Sequence, residues 1–296
     1  MDSRNMDTTS ALDGAAARGR GIIPQRQPGL YSLRLRVPLG LLTSAQLSEL
    51  AGIAERHGEG RVQVTTRQGI EIPGVPEESV SCALRELAEA GISPGSCGPR
   101  VRNVLCCPGL DGCSHALVNS RELAAALDRA FLDVALPVKM KVAVAACPNA
   151  CTTPQINDIG FVGAVHPELD PEACVGCGLC EAACREAAIR MVDDNPALGA
   201  QRCLACAECI AACPTGGWTA GARGFVAYVG GKGGRHPRFG VPLPSLFDVD
   251  GALELVRAAL DLLCEHGRPK ERLASVLDRV GIDALAEGAT SGVSGL

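Results

Sequence analysis

Cysteine spacing constrains this chain more than any other feature. Two runs stand close together, Cys174-x2-Cys177-x2-Cys180-x3-Cys184 and Cys203-x2-Cys206-x2-Cys209-x3-Cys213-Pro214. Each supplies three thiols from one tight loop and a fourth that trails behind. Structural zinc normally takes two C-x-x-C pairs per ion, so triplets with a trailing fourth cysteine favour [4Fe–4S] clusters over zinc.

The double run resembles that of bacterial two-cluster ferredoxins, in which the fourth cysteine of each run ligates the other cluster. The resemblance implies one cluster on Cys174, Cys177, Cys180 and Cys213, and a second on Cys203, Cys206, Cys209 and Cys184. Arg185 stands where that motif usually places proline, which touches the shape of the loop and not its ligands.

Sixteen cysteines in 296 residues, most of them in tight runs, suit metal centres rather than a disulfide framework. A hydrophobic content of 47% supports a genuine core. The net charge of −5 gives no reason to expect nucleic-acid binding. Residues Met1 to Gly21 are polar and charged, without the apolar stretch of a secretory signal. No run approaches the ~20 apolar residues of a membrane span. A reducing cytoplasm is the expected compartment.

Hydrophobic periodicity organises the rest. Tyr31 to Val37 alternates as a half-buried strand, and Thr43 or Ser44 caps a helix to about His57. A second strand is expected over Arg61 to Glu71 and a second helix after Pro76, an α+β order with helices on one face of a sheet. Ser120 to Leu132 reads as helix. Val138 to Ala145 reads as a strand, with Lys139 and Lys141 on one side. Ile159 to Val165 and Gly224 to Val229 are expected in one sheet, which makes the cysteine-rich block between them an insertion. Helices are expected over Asp248 to His266 and Pro269 to Leu285, with the last ten residues frayed.

A separate set of thiols, Cys107-x5-Cys113 and Cys147-x3-Cys151, lies outside the double run. By spacing alone this set suits a further cluster, a zinc site or plain buried thiols.

Around it, from about Ile23 to Gly240, the sequence resembles the siroheme sulfite and nitrite reductase family, in which a C-x5-C and a C-x3-C ligate a [4Fe–4S] cluster. The resemblance makes Cys107, Cys113, Cys147 and Cys151 the ligands, with Cys151 bridging to the siroheme iron; Cys106 would give the wrong spacing. S-L-R-L-R-V-P resembles the strand that carries a substrate arginine, here Arg34. T-T-R-Q is similar to the segment whose arginine holds siroheme carboxylates, here Arg67. R-N-V places an anion-binding arginine at Arg102, and L-P-V-K-M-K carries the family's lysine pair as Lys139 and Lys141. Lys232, Arg235 and Arg238, on the glycine-rich return, are weaker carboxylate contacts. Gln63 stands where the family often has another arginine.

The implied fold class is α+β, a sulfite-reductase-like siroheme domain with an inserted bacterial two-cluster ferredoxin domain. Residues 1–24 would be a leader and 25–96 a ferredoxin-like half. Residues 97–165 and 223–296 would form the siroheme and cluster domain, and 166–222 the insert. The implied activity is six-electron reduction of sulfite to sulfide. Nitrite reduction to ammonia, or a non-catalytic electron-transfer subunit, are the alternatives. The implied cofactors are siroheme and three [4Fe–4S] clusters. The implied partners are an external electron donor or reductase subunit, and a second copy or a related subunit, since only one copy of the family's repeated unit is present.

The five histidines show no metal-ligand spacing, and Cys82, Cys97, Cys106 and Cys264 read as small buried side chains. Gly230 to Gly234 lacks the spacing of a nucleotide-binding loop.

Overall fold

The computed structural model describes Ala17, residues 19–95 and residues 97–286. Most of the expected leader and the expected frayed C-terminal residues lie outside these. The chain forms two compact units. The first is built from the described residues up to Leu105 with Asp128–Lys141 and Gly267–Glu271; the second comprises Cys106–Leu127, Val142–His266 and the described residues from Arg272 onward.

In the first unit β1 (Ile22–Pro24) pairs with β2 (Leu30–Leu35), so ordered strand begins inside the stretch expected as leader. Helix α1 (Ser44–His57) follows, then β3 (Gln63–Val64), β4 (Ile70–Pro76) and α2 (Glu77–Glu89). The antiparallel sheet has the order β1-β2-β4-β3. A capping box starts α1: Thr43 Oγ1 accepts from Gln46 N–H at 3.1 Å, and Gln46 Oε1 accepts from Thr43 N–H at 3.0 Å. Leu50 and Ile53 of α1, and Val80, Ala83 and Leu87 of α2, join Leu33, Leu35, Ile72 and Val75 in one core.

The strand expected over Arg61 to Glu71 is instead a hairpin. The chain reverses between Val64 and Ile70, with Thr65 N–H donating to Gly69 O at 2.8 Å. Thr65 Oγ1 accepts from Gly69 N–H at 3.0 Å, and Gln68 takes a φ of 50°. Arg67 therefore sits in a tight turn, not on the polar face of a strand.

The second unit is built on a sheet ordered β11-β10-β7-β6-β5. Its strands are β5 (Leu105–Cys106), β6 (Val142–Ala145), β7 (Ile159–Leu169), β10 (Trp218–Val229) and β11 (Val241–Phe247). The chain passes through α3 (Ser120–Phe131) between β5 and β6. The strand expected over Val138 to Ala145 is regular only from Val142; the segment before it meets Val101 in a single bridge at Met140.

β7 and β10 pair antiparallel from Ile159↔Val229 out to Leu169↔Trp218. Everything between hangs from the end of this ladder: α4 (Leu179–Ala183), the hairpin β8 (Ile189–Val192) and β9 (Asn195–Leu198), and α5 (Glu208–Ala212). Cys180, Ile189, Cys209 and Trp218 form its small core. After β11 come α6 (Val249–His266), α7 (Leu273–Val280) and α8 (Asp283–Ala286). The last two replace the single helix expected over Pro269 to Leu285, because Gly281 takes a φ of 93° and ends α7.

Candidate functional site

Arg34, Arg67, Arg102, Lys139 and Lys141 all line one cavity of about 520 Å3 in the first unit. Three strands supply part of it in register: Arg34 of β2 and Gln63 of β3 both stand opposite Glu71 of β4. Arg67 comes from the hairpin turn. Arg102 and the two lysines come from adjacent extended segments, tied by Arg102 N–H to Met140 O at 2.9 Å. Met140 is wholly buried between its two neighbouring lysines, so the expected two-residue alternation brings both lysines to the same cavity.

Arg34 is clamped. Its Nε donates to Glu71 Oε1 at 2.6 Å and its Nη1 lies 3.2 Å from Cys97 Sγ. Burial acts to lower the Arg34 pKa, but Cys97 and Glu71 outweigh it and hold the guanidinium above its ordinary value. Arg102 Nη2 donates to Gly98 O at 2.9 Å. Asn103 Oδ1, on a residue lining the cavity, is buried without a hydrogen-bond partner among the described residues. Five cationic side chains and one carboxylate, Glu71, line the cavity, so its potential is positive. A positive potential of this kind favours an anion over a cation.

The second unit gathers the thiols. Cys107 Sγ accepts from Ala146 N–H at 3.1 Å. The Cys147 thiol is pushed up in pKa, chiefly by burial and further by Cys113, Cys107 and Cys151, so the four thiols of the outer quartet share one electrostatic neighbourhood. Cys147 is buried while Cys151 is exposed. Ala150 and Thr153, both at φ 49°, coil the loop that presents these two.

Within the segment between β7 and β10, Cys184, Cys203, Cys206 and Cys209 line one apolar cavity with Ile189 and Leu198. The fourth thiol of the first run thus meets three of the second. Burial, with Cys206 and Cys184 adding, pushes the Cys203 thiol up. Burial with Cys203 and Cys206 pushes Cys209 up to about 12. Cys213 packs in the core with Cys180, and its loop is tied to the start of the first run by Thr215 Oγ1 donating to Ala173 O at 2.7 Å. The Trp218 N–H, at 3.4 Å, holds the Cys213 thiol down to about 7. Ala188 N–H and Ala205 N–H point likewise at Cys184 Sγ and Cys203 Sγ, at 3.2 and 3.3 Å.

Lys232 and Arg235 belong to the loop between β10 and β11 in the second unit. Lys232 and Arg238 exchange backbone hydrogen bonds there, Arg235 is exposed, and Arg238 Nη1 donates to both carboxylate oxygens of Asp278 at 2.8 and 2.7 Å. Three groups at the cation cavity escaped the sequence reading: Glu71, Asn103, and Cys97, which passed as a spare thiol. Glu71 had a signal only through strand register, which no local pattern displays.

The donor set fits the groups that the resemblance implies. A cavity ringed by cations suits carboxylates and a small oxyanion, and thiol quartets with N–H groups aimed at sulfur suit iron–sulfur clusters.

Fold and site together define an α+β protein with a cationic cavity and clustered thiols. Residues 97–293 match the nitrite and sulphite reductase 4Fe-4S domain, and residues 23–90 match the nitrite/sulfite reductase ferredoxin-like half domain. The chain belongs to the nitrite and sulfite reductase family. It is 37% identical over 270 residues to the coenzyme F420-dependent sulfite reductase of Methanocaldococcus jannaschii, a match over 90% of this chain and 43% of that protein. An uncharacterized protein of the same organism is 33% identical, over 86% of this chain and 89% of its own length. The crystal structure of dissimilatory sulfite reductase I superposes with a TM-score of 0.73 at 19% identity, covering 90% of this chain and 70% of that one. The chain thus spans less than half of the F420-dependent relative. No helix among the described residues is long and apolar enough to cross a membrane.

Proposed function

We propose that this chain binds siroheme and three [4Fe–4S] clusters and reduces sulfite to sulfide. The observation that carries the proposal is the convergence of Arg34, Arg67, Arg102, Lys139 and Lys141 on one cavity. A protein that only passes electrons has no use for such a cavity. The kinship with an F420-dependent sulfite reductase supports sulfite as the substrate.

Siroheme, when bound, supplies the metal centre at which the six-electron reduction takes place. Arg34, Arg102, Lys139 and Lys141 hold the anion, and their positive charge stabilises oxygen as it departs. Arg67 holds macrocycle carboxylates, with Lys232 and Arg235 as secondary contacts. Cys107, Cys113, Cys147 and Cys151 ligate the outer cluster. Cys151 is the exposed thiol of that quartet, which suits a sulfur shared with a second metal centre. In the insert, Cys174, Cys177, Cys180 and Cys213 would hold one cluster and Cys203, Cys206, Cys209 and Cys184 a second, which would supply one-electron transfer from an external donor. The chain works in a reducing cytoplasm, paired with itself or with a related subunit.

Nitrite would be held by the same cations, so product analysis decides. Anaerobically purified protein, given a reduced dye, is expected to form sulfide from sulfite faster than ammonium from nitrite. Ammonium as the dominant product reverses the substrate assignment; neither product overturns the enzyme reading.

A further inference from the structure

Ser120 opens α3, is wholly buried, and faces sulfur. Its Oγ lies 3.5 Å from Cys107 Sγ and 3.8 Å from Cys106 Sγ. A serine at the start of a helix commonly spends its hydroxyl on capping. Here Asn119 does that work, its Oδ1 accepting from Glu122 N–H at 3.2 Å. The Ser120 hydroxyl is left for the two thiols. The C-x5-C loop makes room for it: Gly109 has a φ of 64°, and a Cβ there would stand 2.6 Å from Ser120 Oγ.

Hydrogen-bond roles follow from chemistry. A cysteine that ligates iron is a thiolate and only accepts, so the hydroxyl must donate to Cys107 Sγ. The serine oxygen then accepts from the Cys106 S–H, which also lies 3.2 Å from the Cys107 carbonyl. The result is a short chain, Cys106 S–H to Ser120 O–H to Cys107 Sγ, in which each bond polarises the next. Ala146 N–H is a second donor to the same sulfur. Hydrogen bonds to cluster sulfurs favour the reduced state, because they stabilise the added negative charge.

We propose that Ser120 is a positioning residue of the outer cluster, with its hydroxyl, backed by the Cys106 thiol, raising the potential at which that cluster accepts an electron. This rests on the outer quartet being a cluster, as proposed above. It gives Cys106, superfluous as a ligand, a role beside the site.

The test is a redox titration of the full chain with its cofactors, followed by electron paramagnetic resonance, on wild type, Ser120→Ala and Cys106→Ala. In Ser120→Ala the reduction equilibrium of the outer cluster should fall about tenfold, which is about 59 mV to the negative side for one electron. Cys106→Ala should move it the same way by less, and the two clusters of the insert should stay where they are. An unmoved potential in a Ser120→Ala protein that retains all its iron overturns the inference alone. If Ser120→Ala fails to assemble the cluster, Cys106→Ala decides, and no shift there overturns it. A wild-type chain with iron for two clusters only overturns the cluster reading, and this inference with it.

Discussion

Arg34 and Glu71 stand opposite each other on β2 and β4 and are joined by a 2.6 Å hydrogen bond from Nε to Oε1. The pair puts one carboxylate inside a cavity otherwise ringed by cations. It fixes the arginine and offsets part of its charge at the same time. These effects are separable. In Glu71→Gln the cavity loses its negative charge, so KM for sulfite should fall, while a loosened Arg34 should lower kcat by about tenfold, the worth of one charged hydrogen bond. Steady-state kinetics reads both; a raised KM with unchanged kcat contradicts this role.

Lys139 and Arg102 reach the cavity from adjacent backbone segments bridged at Met140 and Val101. Removing either side chain should cost one charged hydrogen bond to the anion, about 1.5–3 kcal/mol, or roughly ten- to a hundredfold in kcat/KM. The haem spectrum should be unaffected in Lys139→Ala and Arg102→Ala. Turnover unchanged in both variants removes them from the anion site.

Cys184 lines the cavity of Cys203, Cys206 and Cys209 although it ends the other run. Cys184→Ser should therefore disturb the cluster of the second run and leave that on Cys174, Cys177, Cys180 and Cys213 intact. Electron paramagnetic resonance of the reduced variant distinguishes the two. Loss of the first-run cluster instead contradicts the crosswise arrangement.

Asp158 is wholly buried and receives Arg272 Nε at 3.0 Å. Arg272→Ala takes away the cation facing a carboxylate that water does not reach. A loss of about 3–5 kcal/mol in unfolding free energy is expected, measured by urea denaturation of the full chain. A loss under 1 kcal/mol means that the pair adds nothing beyond packing.

Much of this site was legible because it rests on local spacing. Cysteine runs carry their own register, and the alternation Lys139, Met140, Lys141 announces two side chains on one side whether or not the backbone forms a regular strand. What escaped depends on how distant strands align. Nothing near Glu71 signals Arg34, since β2 and β4 pair across the intervening helix α1 and strand β3. The hairpin between Val64 and Ile70 was itself hidden: Thr65, Thr66, Arg67 and Gln68 read as strand by type, and only Gly69 hints at a reversal. Ser120 was hidden for another reason. Its place at a helix start has an ordinary explanation, and only the folded structure shows that Asn119 takes that task.

Whether the outer thiols hold a cluster beside siroheme is decided by counting iron and acid-labile sulfide on anaerobically purified protein, with an absorption spectrum of the same sample. About thirteen irons, twelve in clusters and one in siroheme, and about twelve sulfides per chain are expected, together with siroheme absorbance. About eight irons and no haem band would contradict this, and the outer thiols would then belong to no metal centre.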